Sequence, residues 1–309
     1  MTAIVFPGQG SQFVGMVKDF YDNFSEAREV FQEVEDSAKI SIKDIIFENK
    51  SNLLDITQYT QISIFCASIS IFNVLKKKYG LENFSIEYTL GHSLGEYTAL
   101  VASEVLTISE CSKLLKSRGE LMHNSYSENK SGMSAVIGIE CAKLEKIIEL
   151  NNLNIEIAND NSPQQVVISG IKEDLINSEK KLMENGAKKI VNLNVSAAFH
   201  SKIMIDAEKE MKNNLNKINF KNPIYSVISN YSGKNSKESS ILFDNLSKQM
   251  SNKVRWVDSI KTLEKLGETS IIEIGPGKVL TGLIKRISNN FKIKNINIKE
   301  DLENIINEI

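Results

Sequence analysis

Five residues, Gly91-His92-Ser93-Leu94-Gly95, stand directly after a run of strand formers, Ile86 to Leu90, and directly before a helix-forming stretch, Glu96 to Ser103. In that position a G-x-S-x-G string is a strand-to-helix elbow. The turn holds the central serine in a strained backbone geometry, and glycines two residues to either side remove the side chains that would crowd it. Such an elbow needs a strand feeding a helix, so the chain around it must be built of α/β units. The string alone arises readily by chance, and its flanks are what give it weight.

The rest of the chain has the same alternation. Ile4 to Phe6 reads as a short apolar strand, Ser25 to Ala38 and Gln61 to Lys78 as helices, and Ser270 to Ile274 as a strand running through Gly275-Pro276-Gly277 into a helix from Lys278 to about Ile287. Strands alternating with helices imply a parallel sheet covered on both faces. Between them lies a stretch with a different order. Met133 to Ile139 (strand), Ala142 to Leu150 (helix), Leu153 to Ala158 and Gln165 to Ser169 (strands), Lys172 to Asn185 (helix) and Lys189 to Leu193 (strand) spell β-α-β-β-α-β, the split βαβ motif. Ser125 to Gly132 and Ser196 to Phe199 flank it as polar or small-residue hinges. The expected fold class is α/β: a parallel-sheet, α/β-hydrolase-like core formed by 1-126 and 196-309, with an inserted ferredoxin-like βαββαβ subdomain at 127-195.

Charge and composition exclude several other classes. With 37 Lys+Arg against 39 Asp+Glu the net charge is −2, so no global basic field points to nucleic acid. The start Met1-Thr2-Ala3-Ile4 has no basic region, and Gly8-Gln9-Gly10 interrupts the apolar stretch before a signal segment could form. The most apolar segment, Ile62 to Leu75, is diluted by Ser63, Ser68, Ser70 and Asn73, and reads as a buried helix rather than a membrane span. Cys66, Cys111 and Cys141 make no CxxC pair and no even disulfide framework, which favours a reducing, cytoplasmic setting and speaks against structural zinc.

A serine nucleophile needs a base, usually histidine, and the chain has three. His92 adjoins Ser93 and points to the opposite strand face, which suits packing or support. His123 falls in the last turn of a helix, where a solvated or dipole-facing role is the plain reading. His200 follows a strand and the small-residue run Ser196-Ala197-Ala198, at the kind of strand-end loop where α/β folds place chemistry. His200 is therefore the expected base. More than a third of the chain follows it, which departs from the Ser, acid, His order of ordinary esterases and lipases, and no acidic residue stands out as a third triad member. For the oxyanion, one N–H can come from Leu94 and another from the loop Gly8-Gln9-Gly10-Ser11-Gln12. That loop fails as a dinucleotide fingerprint because Phe13 occupies the third glycine position, and Val279 after Gly277-Lys278 fails the P-loop pattern.

Thr107-Ile108-Ser109-Glu110 is a capping box that fixes the register of the following helix. Its apolar stripe of Cys111, Leu114, Leu115, Leu121 and Met122 is completed by Arg118, so a guanidinium is aimed inward. Buried unpaired, it would cost several kcal/mol, so it needs an anion or several hydrogen-bond acceptors. The chain has four arginines, Arg28, Arg118, Arg255 and Arg286, and lysine is its ordinary cation. An arginine fork suits a carboxylate, here that of an acidic acyl substrate; an internal salt bridge or a snorkelled side chain is the alternative.

Taken together, the chain resembles the malonyl-CoA:acyl carrier protein transacylases, relatives of the acyltransferase domains of polyketide synthases. The likeness is carried by Phe6-Pro7-Gly8-Gln9-Gly10-Ser11-Gln12, by Gly91-His92-Ser93-Leu94-Gly95-Glu96-Tyr97, and by Ser117-Arg118-Gly119. It continues through Asn161-Ser162-Pro163, Val166-Val167-Ile168-Ser169-Gly170, Phe199-His200, Gln249 and Glu273 to Leu280. The resemblance implies Ser93 as acylated nucleophile, His200 as base, Arg118 as clamp on the malonyl carboxylate, and the backbone N–H groups of Gln9 and Leu94 as oxyanion hole. It implies also that the main-chain carbonyl of Gln249 orients His200, which accounts for the missing acid. Leu94 and Phe199 look like the malonyl-selective pattern, while Ala197-Ala198 departs from the residues bacterial relatives often carry. Malonyl-CoA is then a substrate and no cofactor is expected. The expected partner is acyl carrier protein, with neither nucleic acid nor membrane, and the expected form is a free-standing cytoplasmic monomer in fatty acid biosynthesis. A serine thioesterase or esterase, or a polyketide-type acyltransferase, is the alternative.

Overall fold

The apolar strand at the N-terminus lies inside the molecule, and its alternate residues face different cores. The computed structural model describes residues 1–125 and 130–308, and within these the strand, β1, runs Thr2–Phe6. Ala3 and Val5 pack with Leu90, Trp256, Ile260 and Leu280 on one face, while Ile4 and Phe6 pack with Phe65, Ile69 and Leu100 on the other. These four of the five β1 residues are fully buried. A strand buried on both faces is what a parallel sheet with helices on each side requires.

In chain order the further strands are β2 (Ile86–Gly91), β3 (Ser131–Ile137), β4 (Ile155–Ser162), β5 (Gln165–Ile171), β6 (Lys189–Asn192), β7 (Ser226–Ile228), β8 (Asn235–Ser236), β9 (Ser270–Ile274) and β10 (Lys292–Ile296). They form a six-stranded sheet in the order β10-β9-β1-β2-β7-β8 and a four-stranded sheet in the order β4-β5-β3-β6. In the larger sheet the neighbours from β10 to β7 are parallel and only β8 runs antiparallel. In the smaller one every neighbouring pair is antiparallel. That order is the one a β-α-β-β-α-β chain makes when each helix returns over the same face. The helices Cys141–Leu150 and Lys172–Glu184 close a separate core with Val136, Val166 and Ile168. The expected boundary between residues 126 and 127 lies outside the described residues.

Element ends differ from expectation where polar residues are buried. The helix read as Gln61 to Lys78 begins earlier, at Thr57, runs to Val74 and continues in a wider turn to Tyr79. Thr57 and Thr60 look like loop residues but are buried, and the Thr60 hydroxyl donates to the Leu54 carbonyl at 2.7 Å. Strand β4 extends through polar Asn159 to Ser162 by way of two irregularities in its pairing with β5. None of the described helices is long and apolar enough to cross a membrane.

The parallel pairing of β1 with β2 sets Phe6 beside Gly91, so the Pro7-Gly8-Gln9 loop and the serine elbow leave the sheet side by side. Only glycine allows this closeness. A Cβ on Gly95 would run into the Phe6 carbonyl oxygen, and one on Gly91 into the Gly95 backbone. Gly95→Ala should therefore lower stability by about 1–3 kcal/mol or more, as overpacking against rigid backbone does. Gly282→Ala, where a methyl meets nothing within 4 Å, should be neutral or stabilising by up to about 1 kcal/mol. Thermal denaturation showing the same response for both variants would contradict the close approach.

Candidate active site

Ser93 has φ 53° and ψ −107°, a backbone conformation that side chains rarely adopt, and the helix Leu94–Ala102 begins at the next residue. The strain is held from three directions. The Ser93 N–H donates to Asn230 Oδ1 at 2.7 Å, Asn230 Nδ2 donates to the Gly91 carbonyl at 2.7 Å, and Gln249 Nε2 donates to the Ser93 carbonyl at 3.0 Å. The hydroxyl is left facing a pocket.

His200, in the segment that follows β6, stands with Nε2 2.8 Å from Ser93 Oγ. Its Nδ1 lies 2.9 Å from the Gln249 carbonyl and 3.2 Å from the Asn252 carbonyl. Two carbonyls can only accept, so Nδ1 carries the proton and Nε2 is free to take one from the serine. The ring is buried, and burial together with the nearby Arg118 charge lowers its pKa to about 3, against the two carbonyl hydrogen bonds that raise it. At neutral pH the imidazole is uncharged, the form a general base needs.

Arg118 is wholly inaccessible to solvent on the helix Ile108–His123, which starts from the capping box at Thr107. Its Nη1 donates to Gln61 Oε1 at 2.5 Å, and its Nη2 donates to Gln249 Oε1 at 2.9 Å and to Ser93 Oγ at 3.0 Å. The guanidinium carbon lies 5.4 Å from the Tyr97 ring centre, and Nε has no acceptor. All three hydrogen-bond partners are neutral. Snorkelling is ruled out by the burial, and these contacts are not an internal salt bridge. The nearest carboxylate in the network, Glu96, makes no direct hydrogen bond to Arg118: the Gln249 amide stands between them, its Nε2 donating to Glu96 Oε2 at 2.6 Å, while the two charges still act on each other through space. Burial pushes the Glu96 carboxyl up to about 7 against the hydrogen bonds from Gln249 and Asn230.

Gln9, Leu94, Ser93, Arg118 and His200 line one cavity of about 80 Å³. Leu94 opens its helix, so its N–H has no intrahelical acceptor, and the Gln9 N–H has no backbone or side-chain acceptor among the described residues. A second cavity of about 430 Å³ shares Gln9, His92, Asn159 and Leu193 with the first and extends to Lys278 and Arg286. His92 forms part of the wall between them, its Nε2 2.8 Å from Asn161 Oδ1 and its ring 5.6 Å from that of Trp256. His123 lines neither cavity. Ser93, His200, Arg118, Gln249, Gln9 and Leu94 thus meet at one place, at the carboxyl ends of β1 and β2, and His123 stands apart.

Four polar residues at the site were not foreseen: Gln61, Glu96, Asn161 and Asn230. Asn161 and Glu96 stood inside motifs read for their neighbours. Gln61 and Asn230 have no local signal, and only the fold brings them in.

The acyl transferase domain family matches residues 3–300. This chain belongs to that family. Among curated members, the malonyl CoA-acyl carrier protein transacylase of Staphylococcus aureus (strain MRSA252) is 34% identical over 98% of this chain and 97% of its own. That of Bacillus subtilis (strain 168) is 34% identical over 97% and 95%. The crystal structure of the acyl-carrier-protein-S-malonyltransferase of Bartonella henselae superposes with a TM-score of 0.94 at 35% identity, covering 99% of this chain and 98% of that one. A malonyl-transacylase solved in complex with a type II PKS acyl-carrier protein superposes with a TM-score of 0.93 at 30% identity, covering 100% and 99%. If His200 takes the Ser93 proton, its lowered pKa sets the pH range of that step. The rate of Ser93 phosphonylation by an uncharged fluorophosphonate should hold as pH falls through the usual histidine range, with its acid limb below about pH 5. A midpoint near the ordinary histidine value would show that burial and Arg118 do not depress the imidazole.

Proposed function

We propose that this chain transfers the malonyl group of malonyl-CoA to the phosphopantetheine thiol of acyl carrier protein, through a malonyl-Ser93 intermediate, in fatty acid biosynthesis. The observation that carries the acid specificity is the buried Arg118 guanidinium with only neutral hydrogen-bond partners. A charge so placed favours an anion entering the pocket. Its Nη2 stands 3.0 Å from Ser93 Oγ, so an acyl group on that oxygen whose second carboxylate lies two bonds beyond the carbonyl can fold back onto the guanidinium. A malonyl group has that shape, and an acetyl group has no anion to offer.

In the first half-reaction the Ser93 proton passes to His200 Nε2 as Oγ bonds to the thioester carbonyl carbon. The oxyanion so formed faces the free N–H groups of Gln9 and Leu94. The carbon–sulfur bond then breaks, and the coenzyme thiolate takes the proton from His200. In the second half-reaction the carrier's thiol gives its proton to His200 and its sulfur attacks the malonyl ester, which returns the Ser93 hydroxyl. The larger cavity suits the pantetheine arm, since it shares walls with the nucleophile pocket and has the exposed cations Lys278 and Arg286 at its far end, where phosphate would emerge. No cofactor enters these steps.

The same reading places the protein in the cytoplasm as a monomer and divides it into a hydrolase-like core, 1-126 with 196-309, and a ferredoxin-like subdomain, 127-195. The serine elbow beside a parallel strand supports the first description, and the strand order of the small sheet supports the second. A transacylase is distinguished from a thioesterase by the fate of the acyl-enzyme.

Two experiments follow. After incubation with malonyl-CoA, intact-mass analysis should show one malonyl group on the parent chain and none on Ser93→Ala; the adduct should survive in buffer and vanish on addition of holo acyl carrier protein. Rapid discharge to free malonate without a thiol favours the thioesterase. Arg118→Ala should lose malonyl transfer by about 2–5 kcal/mol in kcat/KM while keeping or gaining reaction with acetyl-CoA. Unchanged malonyl kinetics in that variant would remove the clamp from the mechanism.

A further inference from the structure

Gln249 touches the site with both ends of its side chain, and its function depends on which way the amide faces. Oε1 accepts from Arg118 Nη2 at 2.9 Å, while Nε2 donates to the Ser93 carbonyl at 3.0 Å and to Glu96 Oε2 at 2.6 Å. Rotating the amide by half a turn would set its NH₂ against the guanidinium donors and its oxygen against a carboxylate and a carbonyl. Of the two acceptors that hold Nε2, Glu96 makes the shorter bond, 2.6 Å against 3.0 Å.

Glu96 sits in the first turn of the helix that follows Ser93 and is 1% exposed. The same oxygen, Oε2, also accepts the backbone N–H of Asn230 at 3.1 Å, and Asn230 in turn holds the Ser93 N–H. Glu96 does not line the nucleophile cavity. It therefore touches no reacting atom and acts on the reaction through the residues it holds and through its charge on Arg118.

We propose that Glu96 is a positioning residue for acid recognition: by locking the Gln249 amide it keeps an acceptor, and never a donor, against Arg118, and so sets the plane in which the guanidinium meets a substrate carboxylate. The inference rests on the malonyl-transfer reading. It differs from a structural role of Glu96 in bracing the elbow, which would help every acyl substrate alike.

The test compares kcat and KM for malonyl-CoA and acetyl-CoA in the parent, Glu96→Ala and Glu96→Gln. In E96A the malonyl-to-acetyl ratio of kcat/KM should fall at least about tenfold, as expected when a buried amide donor loses its acceptor. E96Q should recover most of that ratio, because its amide oxygen can occupy the place of Oε2 and accept from both Gln249 and Asn230. If E96A does not fold, Glu96→Met, of similar length and without an oxygen, replaces it in the same comparison. Equal losses for both substrates, or an E96Q that folds yet discriminates no better than E96A, would overturn the assignment and leave Glu96 as a brace. A parent chain that takes up no malonyl group sinks the functional reading and this inference with it. A parent that discriminates alongside an E96A that discriminates equally sinks the role of Glu96 alone.

Discussion

A full positive charge with no accessible surface is the constraint around which this site is arranged. Arg118 exchanges its hydration for three neutral oxygens, those of Gln61, Gln249 and Ser93. Each oxygen must be presented with its own donors occupied elsewhere, or the amides would turn. Gln61 Nε2 is engaged by Met122 Sδ at 3.3 Å, Gln249 Nε2 by Ser93 and Glu96, and the Ser93 hydroxyl by His200. Ser93, His200 and Arg118 thus form one continuous hydrogen-bonded set. Removing a member leaves a buried donor or acceptor unmet, which costs more than the bond itself contributes.

The small antiparallel sheet is part of the same set. His200 has a left-handed backbone at φ 56°, and the segments that hold it are pinned by strands of the small sheet. Ser169 Oγ donates to the Phe199 carbonyl at 2.6 Å, and the Ala198 N–H donates to Ser131 Oγ at 3.2 Å. The loop after Gln249 is stitched to β4, with the Val254 N–H on the Ala158 carbonyl at 2.8 Å and the Asp160 N–H on the Val254 carbonyl at 3.0 Å. That loop supplies both carbonyls that fix the imidazole tautomer. The small sheet therefore helps set the position of His200.

Much of this was legible in the chain because it is written in local patterns. The elbow, the capping box and the apolar stripe each fix a backbone geometry within a few residues, so Ser93 and the inward aim of Arg118 follow from them. The β-α-β-β-α-β order likewise predicts the smaller sheet's pairing. What escaped is of another kind. Strands β7, β8 and β10 are short or rich in lysine and asparagine, and they form because a neighbouring strand offers an edge. Gln61 and Asn230 are ordinary polar residues in sequence, separated from Arg118 and Ser93 by 57 and 137 positions, and become part of the site only through tertiary contact. Gln249 was accessible through family resemblance alone, and through its carbonyl; the role of its side chain emerges from hydrogen-bond directions that no spacing encodes.

On the malonyl-transfer reading, one charge has consequences for both binding and proton transfer. Arg118 lowers the basicity of His200 as well as presenting its own fork, so in the empty site the imidazole is neutral but a weak acceptor. Taking the Ser93 proton would create a second cation within the same buried network, at a cost that low dielectric magnifies. A carboxylate on Arg118 removes that conflict by cancelling the first charge before the second appears. The acidic substrate then strengthens the base that attacks on its behalf, and an uncharged acyl group, which leaves Arg118 unneutralised, does not. Discrimination built this way is expressed in the chemical step as well as in affinity, which is where selectivity acts on rate when substrate is abundant.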